Sequence, residues 1–177
     1  MTDISANRAA RKYPRHLQMA RVLWAFATPL FRLSPRPLWG WRRWLLRRFG
    51  ASVGAQAHIY PTVRITMPWN LTLGTECAVG DRAILYALGR IEIGTRATIS
   101  QGAHLCAGTH DHRRADRPLL TPPIHIGPDS WVAAEAFIGS GVTVGQGAIV
   151  GARAVVMKSV PGGRTVVGNP ARALSEC

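Results

Sequence analysis

The chain has 177 residues, a length typical of one domain with a short appendage. Hydrophobic residues make up 47% of the chain and charged residues 18%, a balance that excludes a wholly disordered protein. The net charge of +13 is concentrated at the front, because residues 1–50 hold eleven basic residues and one acid, whereas residues 51–177 hold eleven basic and eight acidic residues.

The basic front segment contains an apolar stretch, Val22–Phe31, followed by an amphipathic one, Leu38–Phe49. The apolar stretch is too short for a bilayer span, which needs roughly 18 residues or more. The amphipathic stretch predicts a helix, since its apolar residues recur at helical spacing on one face, opposite Arg43 and Arg47. That face consists of Leu38, Trp41, Leu45 and Phe49.

Two uses of residues 1–50 can coexist. The segment is expected to form a helical cap over the open end of the domain that follows. Its tryptophans and arginines also fit a peripheral contact with a membrane surface through residues 20–49. No nucleic-acid-binding motif accompanies the basic residues, so nucleic acid binding is not expected.

From Val53 onward, an aliphatic residue recurs every six positions. Two extra residues interrupt this six-residue spacing before Leu73 and again before Ile93. After a longer interruption the spacing is regular from Ile126 to Val156. We call the fifteen aliphatic residues at this spacing the beat residues. Neither a helix nor a flat strand has this period. A six-residue unit made of one short strand and one corner does, with three units closing a triangular coil. The sequence therefore predicts an all-β solenoid, in which the aliphatic residues and Cys77 form the core.

The large interruption of the repeat, residues 109–125, is predicted to be a projecting loop, because it is rich in charge and proline. It begins with His110, for which three interpretations are open. The histidine can be an ordinary surface side chain, or a metal ligand together with His58, His104 or His112. It can also be a general base, which needs only a neutral imidazole within reach of a hydroxyl.

Several stretches in and around the repeat resemble the hexapeptide-repeat acetyltransferases. They are LCAGTH (residues 105–110), PIHIGPDSWV (123–132), GVTVG (141–145), VMKSVP (156–161) and GNPAR (168–172). The stretches WRRWLLRRFG (41–50) and MPWN (67–70) are similar to the members that act in colanic acid and other exopolysaccharide biosynthesis.

The resemblance implies a left-handed parallel β-helix with one projecting loop. Its expected divisions are a helical cap over residues 1–50, an acyltransferase domain over 51–172 and a tail over 173–177. The implied activity is transfer of an acetyl group from acetyl-CoA to a saccharide hydroxyl, with His110 as the general base and no metal. Asp111 either orients the imidazole or is simply solvated.

The coenzyme-binding residues implied by the resemblance are Trp131, Ala134, Ala152, Lys158 and Arg172. Trp131 would flank the reacting centre, the two alanines would line the pantetheine slot, and the two cations would hold phosphates. Two residues depart from the family pattern, Met157 in place of a frequent threonine and Gly102 in place of an asparagine in the galactoside-specific members.

The resemblance also implies a homotrimer in which His110 of one chain faces the coenzyme wall of the next. A cytoplasmic location fits the three cysteines, Cys77, Cys106 and Cys177, which form no disulfide framework. Two alternatives remain at this point. One is a metal-dependent hydratase like the γ-class carbonic anhydrases, using His58, His104 and His110, and the other is a scaffold without activity.

Overall fold

The computed structural model describes Arg8 and residues 13–174. The other residues of the front segment, 1–7 and 9–12, and the last three residues of the predicted tail, including Cys177, lie outside the described residues. Two helices come first, α1 (Arg15–Arg32) and α2 (Trp39–Arg48). None of the described helices is long and apolar enough to cross a bilayer.

Short strands then follow in groups of three, with each group closing one coil of a solenoid. The first three coils contain β1 (Ser52–Val53), β2 (His58–Ile59), β3 (Arg64–Ile65), β4 (Leu71–Leu73), β5 (Ala78–Val79), β6 (Ile84–Tyr86), β7 (Ile91–Ile93), β8 (Thr98–Ile99) and β9 (His104–Cys106). A hairpin of β10 (Thr109–His110) and β11 (Leu119–Leu120) interrupts the coils. They resume with β12 (Ile124–Ile126), β13 (Trp131–Val132), β14 (Phe137–Ile138), β15 (Thr143–Val144), β16 (Ile149–Val150), β17 (Val155–Val156), β18 (Thr165–Val167) and β19 (Arg172–Ala173).

Three parallel sheets form the faces of the prism. The first sheet has the order β1-β4-β7-β12-β15, and the third has β3-β6-β9-β14-β17. The second sheet runs β2-β5-β8-β13-β16-β18 and ends at β19, which returns antiparallel to β18. The register pairs the predicted beat residues with one another, as in Val53↔Leu73 and Ile126↔Val144. The predicted parallel solenoid with a helical front part and a projecting loop is confirmed.

The predicted aliphatic stack forms the core of the prism. All fifteen beat residues are buried except Ile65, which lies half-buried at the first coil. Cys77 fills an inward position between them, and burial raises the pKa of its thiol to about 12. A thiol in this state is unreactive at neutral pH, which supports a purely structural role for Cys77.

At several corners a glycine directly follows the inward-facing aliphatic residue, as Gly74 follows Leu73 and Gly94 follows Ile93. The left-handed φ values there lie two residues later, for example +58° at Glu76 and +57° at Arg96. Glycine is required at the earlier position because the coils approach each other closely. A Cβ atom on Gly74 would lie 2.5 Å from the backbone nitrogen of Thr95 in the next coil.

Helix α2 covers the first coil, and of the apolar face noted in the sequence only Leu45 is fully buried. The structure buries Arg42, Leu45 and Leu46, while Leu38 and Trp41 are exposed. Arg42 is buried because the carbonyl groups on the open side of the first coil have no preceding strand whose N–H groups could donate to them. His58 and Tyr60 are both bonded to the second coil, so the carbonyl of the residue between them points to the open end of the prism.

Arginines of α2 donate to these carbonyls. Arg42 Nε lies 2.6 Å from the carbonyl oxygen of Ile59, Arg43 bonds the carbonyl of Ala57, and Arg47 bonds that of Val53. Trp24 of α1 donates from Nε1 to the carbonyl of Ile65. The cap therefore supplies the donors that a further strand would have supplied.

Candidate active site

His110 stands on the hairpin that leaves the solenoid after β9. In the antiparallel pairing of β10 and β11, His110 lies opposite Leu119. Beyond this pair, an ion pair of 2.8 Å between Arg114 and Asp116 closes the tip of the hairpin. The interruption of the repeat is thus an ordered projection that carries the histidine at its base.

The MPWN stretch supports the base of this hairpin. Asn70 Nδ2 donates to the carbonyls of Ala87 and Leu88, at 2.9 Å and 3.0 Å, and so fixes the turn between the second and third coils. Leu88 then packs beneath the strand that leads to His110, where a Cβ atom on Gly108 would lie only 3.0 Å from Leu88 Cδ1. Asn70 thus holds the turn against which the strand leading to His110 packs.

The imidazole of His110 is oriented by a backbone carbonyl. His110 Nδ1 lies 2.7 Å from the carbonyl oxygen of Arg117, across the hairpin. Because a carbonyl only accepts hydrogen bonds, Nδ1 carries the proton in the neutral ring, and Nε2 keeps a free lone pair. Asp111, which the sequence offered as an orienting group, instead accepts from the backbone nitrogen of Arg113 at 3.0 Å. The carbonyl of Arg117 had no sequence signal by which it could have been found.

Trp131 and the two predicted alanines lie on the later coils. Trp131 stands on the outer face of β13 with 48% of its surface exposed, and its Nε1 donates to Ser100 Oγ at 2.8 Å. Ala134 and Ala152 occupy equivalent corners of consecutive coils, where β13 and β16 end. Neither alanine is fully buried, and the Arg153–Glu135 ion pair lies beside these corners.

Lys158 and Arg172 lie near the C-terminal end of the prism. Both line one cavity of about 540 Å³, between the residues that follow β17 and the returning chain at Pro170–Ala173. A hydrogen bond from the Ala171 nitrogen to the Val155 carbonyl, 2.9 Å long, closes the floor of the cavity. Two cations on one open cavity suit an anionic ligand such as a phosphate ester. Met157, which departs from the family pattern, also lines this cavity and is exposed.

The structure does not bring His110 to this cavity within one chain. The hairpin leaves the prism after β9 of the third sheet, whereas Trp131 stands on the outer face of the second sheet. Between Tyr13 and Leu174, no hydrogen bond or ring contact joins His110 to Trp131, Lys158 or Arg172. Among the described residues, the predicted base and the predicted coenzyme groups thus lie on different sheets and make no direct contact with each other.

The histidines of the hydratase alternative are also separated. His58 contacts Trp39, with ring centroids 4.9 Å apart, and His104 lies between the rings of Tyr86 and Phe137. Within the part of the chain that the structure describes, no three His, Cys, Asp or Glu side chains are grouped so that they could hold a metal ion. No observation favours the hydratase.

Comparisons with known proteins agree with the fold. No protein-family model matches the chain. Among solved structures, a galactoside acetyltransferase in complex with coenzyme A superimposes with a TM-score of 0.85 and 24% identity, over 98% of this chain and 88% of the other. A hexapeptide-repeat acetyltransferase from Vibrio cholerae O1 biovar eltor, complexed with acetyl coenzyme A, gives a TM-score of 0.83 and 23% identity, over 91% and 88%. The chain shares their left-handed β-helix.

A curated relative connects the chain to a family. WcaF of Escherichia coli (strain K12), which carries the name of a colanic acid biosynthesis acetyltransferase, is 46% identical over 156 residues. The match covers 88% of this chain and 86% of WcaF. The chain belongs to the family of the hexapeptide-repeat acetyltransferases, together with WcaF.

Proposed function

We propose that the protein transfers an acetyl group from acetyl-CoA to a hydroxyl group of a saccharide, in the biosynthesis of an exopolysaccharide. The observation that carries this proposal is the imidazole of His110, held through Nδ1 by the Arg117 carbonyl with Nε2 left free. The similarity to WcaF over most of the chain supports the acceptor class, and the cationic cavity at Lys158 and Arg172 supports the donor.

The reaction needs a base because a sugar hydroxyl is far too weakly acidic to ionise at neutral pH. Nε2 of His110 takes the hydroxyl proton while the oxygen attacks the thioester carbonyl carbon. The tetrahedral intermediate then collapses, the carbon–sulfur bond breaks, and the imidazolium returns the proton to the leaving thiolate. The Arg117 carbonyl stabilises the imidazolium and prevents the ring from turning, since it accepts from Nδ1 throughout.

The proposed coenzyme site runs along the C-terminal coils. Lys158 and Arg172 hold phosphates of the donor, and the corners at Ala134 and Ala152 accept its pantetheine arm because their side chains are too small to block it. Trp131 flanks the thioester end, where its exposed ring offers an apolar wall.

We propose that the site is completed in a homotrimer, with His110 of one chain beside the coenzyme groups of the next. The support is the separation of these groups on one chain, together with the exposed apolar surface of Trp131 and Ile149 on the second sheet. The free thiols of Cys77 and Cys106 are in keeping with work in the reducing cytoplasm, where the donor is made.

Three experiments test these proposals. Calorimetry with acetyl-CoA tests donor binding, and thiol release with candidate glycans tests transfer; a protein that neither binds the donor nor releases the thiol contradicts the proposed activity. Mixing inactive His110→Asn subunits with Lys158→Ala/Arg172→Ala subunits tests the assembly. Random trimers then contain about one quarter intact sites, whereas sites confined to one chain stay defective in every mixture.

A further inference from the structure

Helix α1 exposes an apolar face that the solenoid does not cover. Six side chains on the helix and its C-terminal cap, Leu33, are between 50% and 83% exposed: Met19, Val22, Leu23, Phe26, Leu30 and Leu33. Their spacing puts them on one side of the helix, roughly 120° around the axis from the buried Trp24, Ala27 and Phe31. We call these six residues the α1 stripe. A surface helix normally carries polar residues at such positions, so the stripe needs an occupant.

Two tryptophans of α2 continue the stripe. Trp41 Nε1 donates to the carbonyl of Leu30 at 3.1 Å, which fixes its ring beside the stripe. Trp44 stacks on Trp41 with the ring centroids 5.1 Å apart, and half of its surface is exposed. The apolar surface is therefore continuous across both helices, and it ends in the aromatic side chains that prefer the boundary between water and hydrocarbon.

The helices that carry the stripe hold only cationic charges among their described residues. Residues 13–50 contain eight arginines and no acidic residue. Arg42, Arg43 and Arg47 are used on the carbonyls of the first coil, and Arg36 pairs with Asp81. The others, Arg15, Arg21, Arg32 and Arg48, are exposed on the two helices.

We propose that the α1 stripe, with Trp41 and Trp44, is a docking surface for a bilayer of anionic phospholipid. The helices lie along this surface, with apolar side chains below the headgroups and arginines among the phosphates. A second copy of the chain fits the stripe less well, because two copies would bring two acid-free arginine clusters together. This surface is separate from the proposed acetyl transfer and stands without it.

Sedimentation with vesicles tests the proposal. The wild-type protein should bind vesicles containing about 30% phosphatidylglycerol at least about tenfold more tightly than pure phosphatidylcholine, and about 0.5 M NaCl should remove most of this difference. The variant Phe26→Asp/Leu33→Asp should lose about tenfold or more in binding. Leu174→Asp is the matched control, since Leu174 is 56% exposed at the opposite end of the prism.

A second variant removes the charge and keeps the stripe. Arg21→Gln/Arg32→Gln/Arg48→Gln should reduce binding to anionic vesicles to the level seen with phosphatidylcholine. Equal binding of the wild type to both kinds of vesicle would overturn the proposal. It would also be overturned if Phe26→Asp/Leu33→Asp, with an unchanged circular dichroism spectrum, became a smaller species by light scattering without lipid, because a second copy would then be the occupant. Transfer to a soluble saccharide is expected to be unaffected in all these variants.

Discussion

Replacing His110 by asparagine separates its catalytic role from its structural one. The Asn side-chain amide reaches about as far as Nδ1 of the imidazole, so it can still donate to the Arg117 carbonyl, which lies 2.7 Å from Nδ1 in the wild type. It has no atom at the position of Nε2. The hairpin is expected to keep its shape while the base is lost.

The size of the effect follows from what a positioned base contributes. General base catalysis typically accounts for about 10²–10⁴ in rate, or ~2.7–5.4 kcal/mol of activation free energy. We therefore expect kcat to fall by at least about a hundredfold in His110→Asn. The KM for acetyl-CoA should change little, because the cationic cavity lies on other coils. His110→Ala should lose as much in kcat and should also loosen the hairpin.

Steady-state thiol release measures both constants, and His112→Ala is the matched control because His112 is an exposed histidine on the same hairpin. A His110→Asn enzyme with wild-type kcat would refute the assignment of the base. So would an equal loss in His112→Ala. If His110→Ala loses kcat while His110→Asn keeps it, the histidine acts only through its bond to Arg117.

Three further predictions concern the coenzyme cavity, the cap and the outer face of the third sheet. Lys158→Ala and Arg172→Ala should each raise the KM for acetyl-CoA about tenfold or more with little change in kcat, because phosphate contacts are alike in ground and transition states. Arg42→Met should lower the free energy of unfolding by about 3 kcal/mol or more in denaturant titrations, since buried carbonyls lose their donor. The melting temperature should fall as the pH drops below 6.5, because burial lowers the pKa of His104 from that value and the unfolded chain takes up the proton first.

Each of these predictions has a control. Arg64→Ala removes an exposed arginine from the first coil and should leave the KM for acetyl-CoA unchanged. Arg42→Lys keeps the charge but offers fewer donors, so it should recover only part of the lost stability. His104→Phe should lose the His104 share of the acid sensitivity; an unchanged pH profile in that variant would contradict the assignment. A loss of kcat without a change in donor KM in Lys158→Ala would contradict the placement of the coenzyme.

The solenoid could be predicted from the sequence because its periodicity is local. Each coil repeats the same pattern, an aliphatic residue inside the prism and a small residue at the corner. The aliphatic residue recurs at fifteen positions from Val53 to Val156. The reason for the corner glycines was not visible, because the 2.5 Å approach of Gly74 to Thr95 joins residues that are a full coil apart. The repeat thus shows where the corner glycines lie, but the close packing of neighbouring coils that requires them is visible only in the structure.

The site could be predicted only in part. The interruption pointed to His110, and the resemblance pointed to Lys158 and Arg172, which the structure places on one cavity. The orienting group of His110 escaped detection because it is a backbone carbonyl, and every residue has one. The choice of Asp111 as a candidate shows the limit of sequence reasoning here, since adjacency in the chain did not make it a partner of the imidazole.

The arginines of the cap make contacts with the solenoid that the sequence did not indicate. A helical projection assigns Arg43 and Arg47 to the solvent, since charged side chains rarely face a core. The first coil of a parallel solenoid, however, presents a row of carbonyl oxygens with no strand to pair with, and guanidinium groups satisfy several of them at once. Arg47 donates to the carbonyls of both Val53 and Gly54, and Arg42 donates to the carbonyl of Ile59 while also bonding Ser34 and Pro35 between the two helices. The positive charge of residues 13–50 therefore serves two purposes. Arg42, Arg43 and Arg47 close the open end of the β-helix, whereas Arg15, Arg21, Arg32 and Arg48 lie exposed on the two helices that carry the apolar surface.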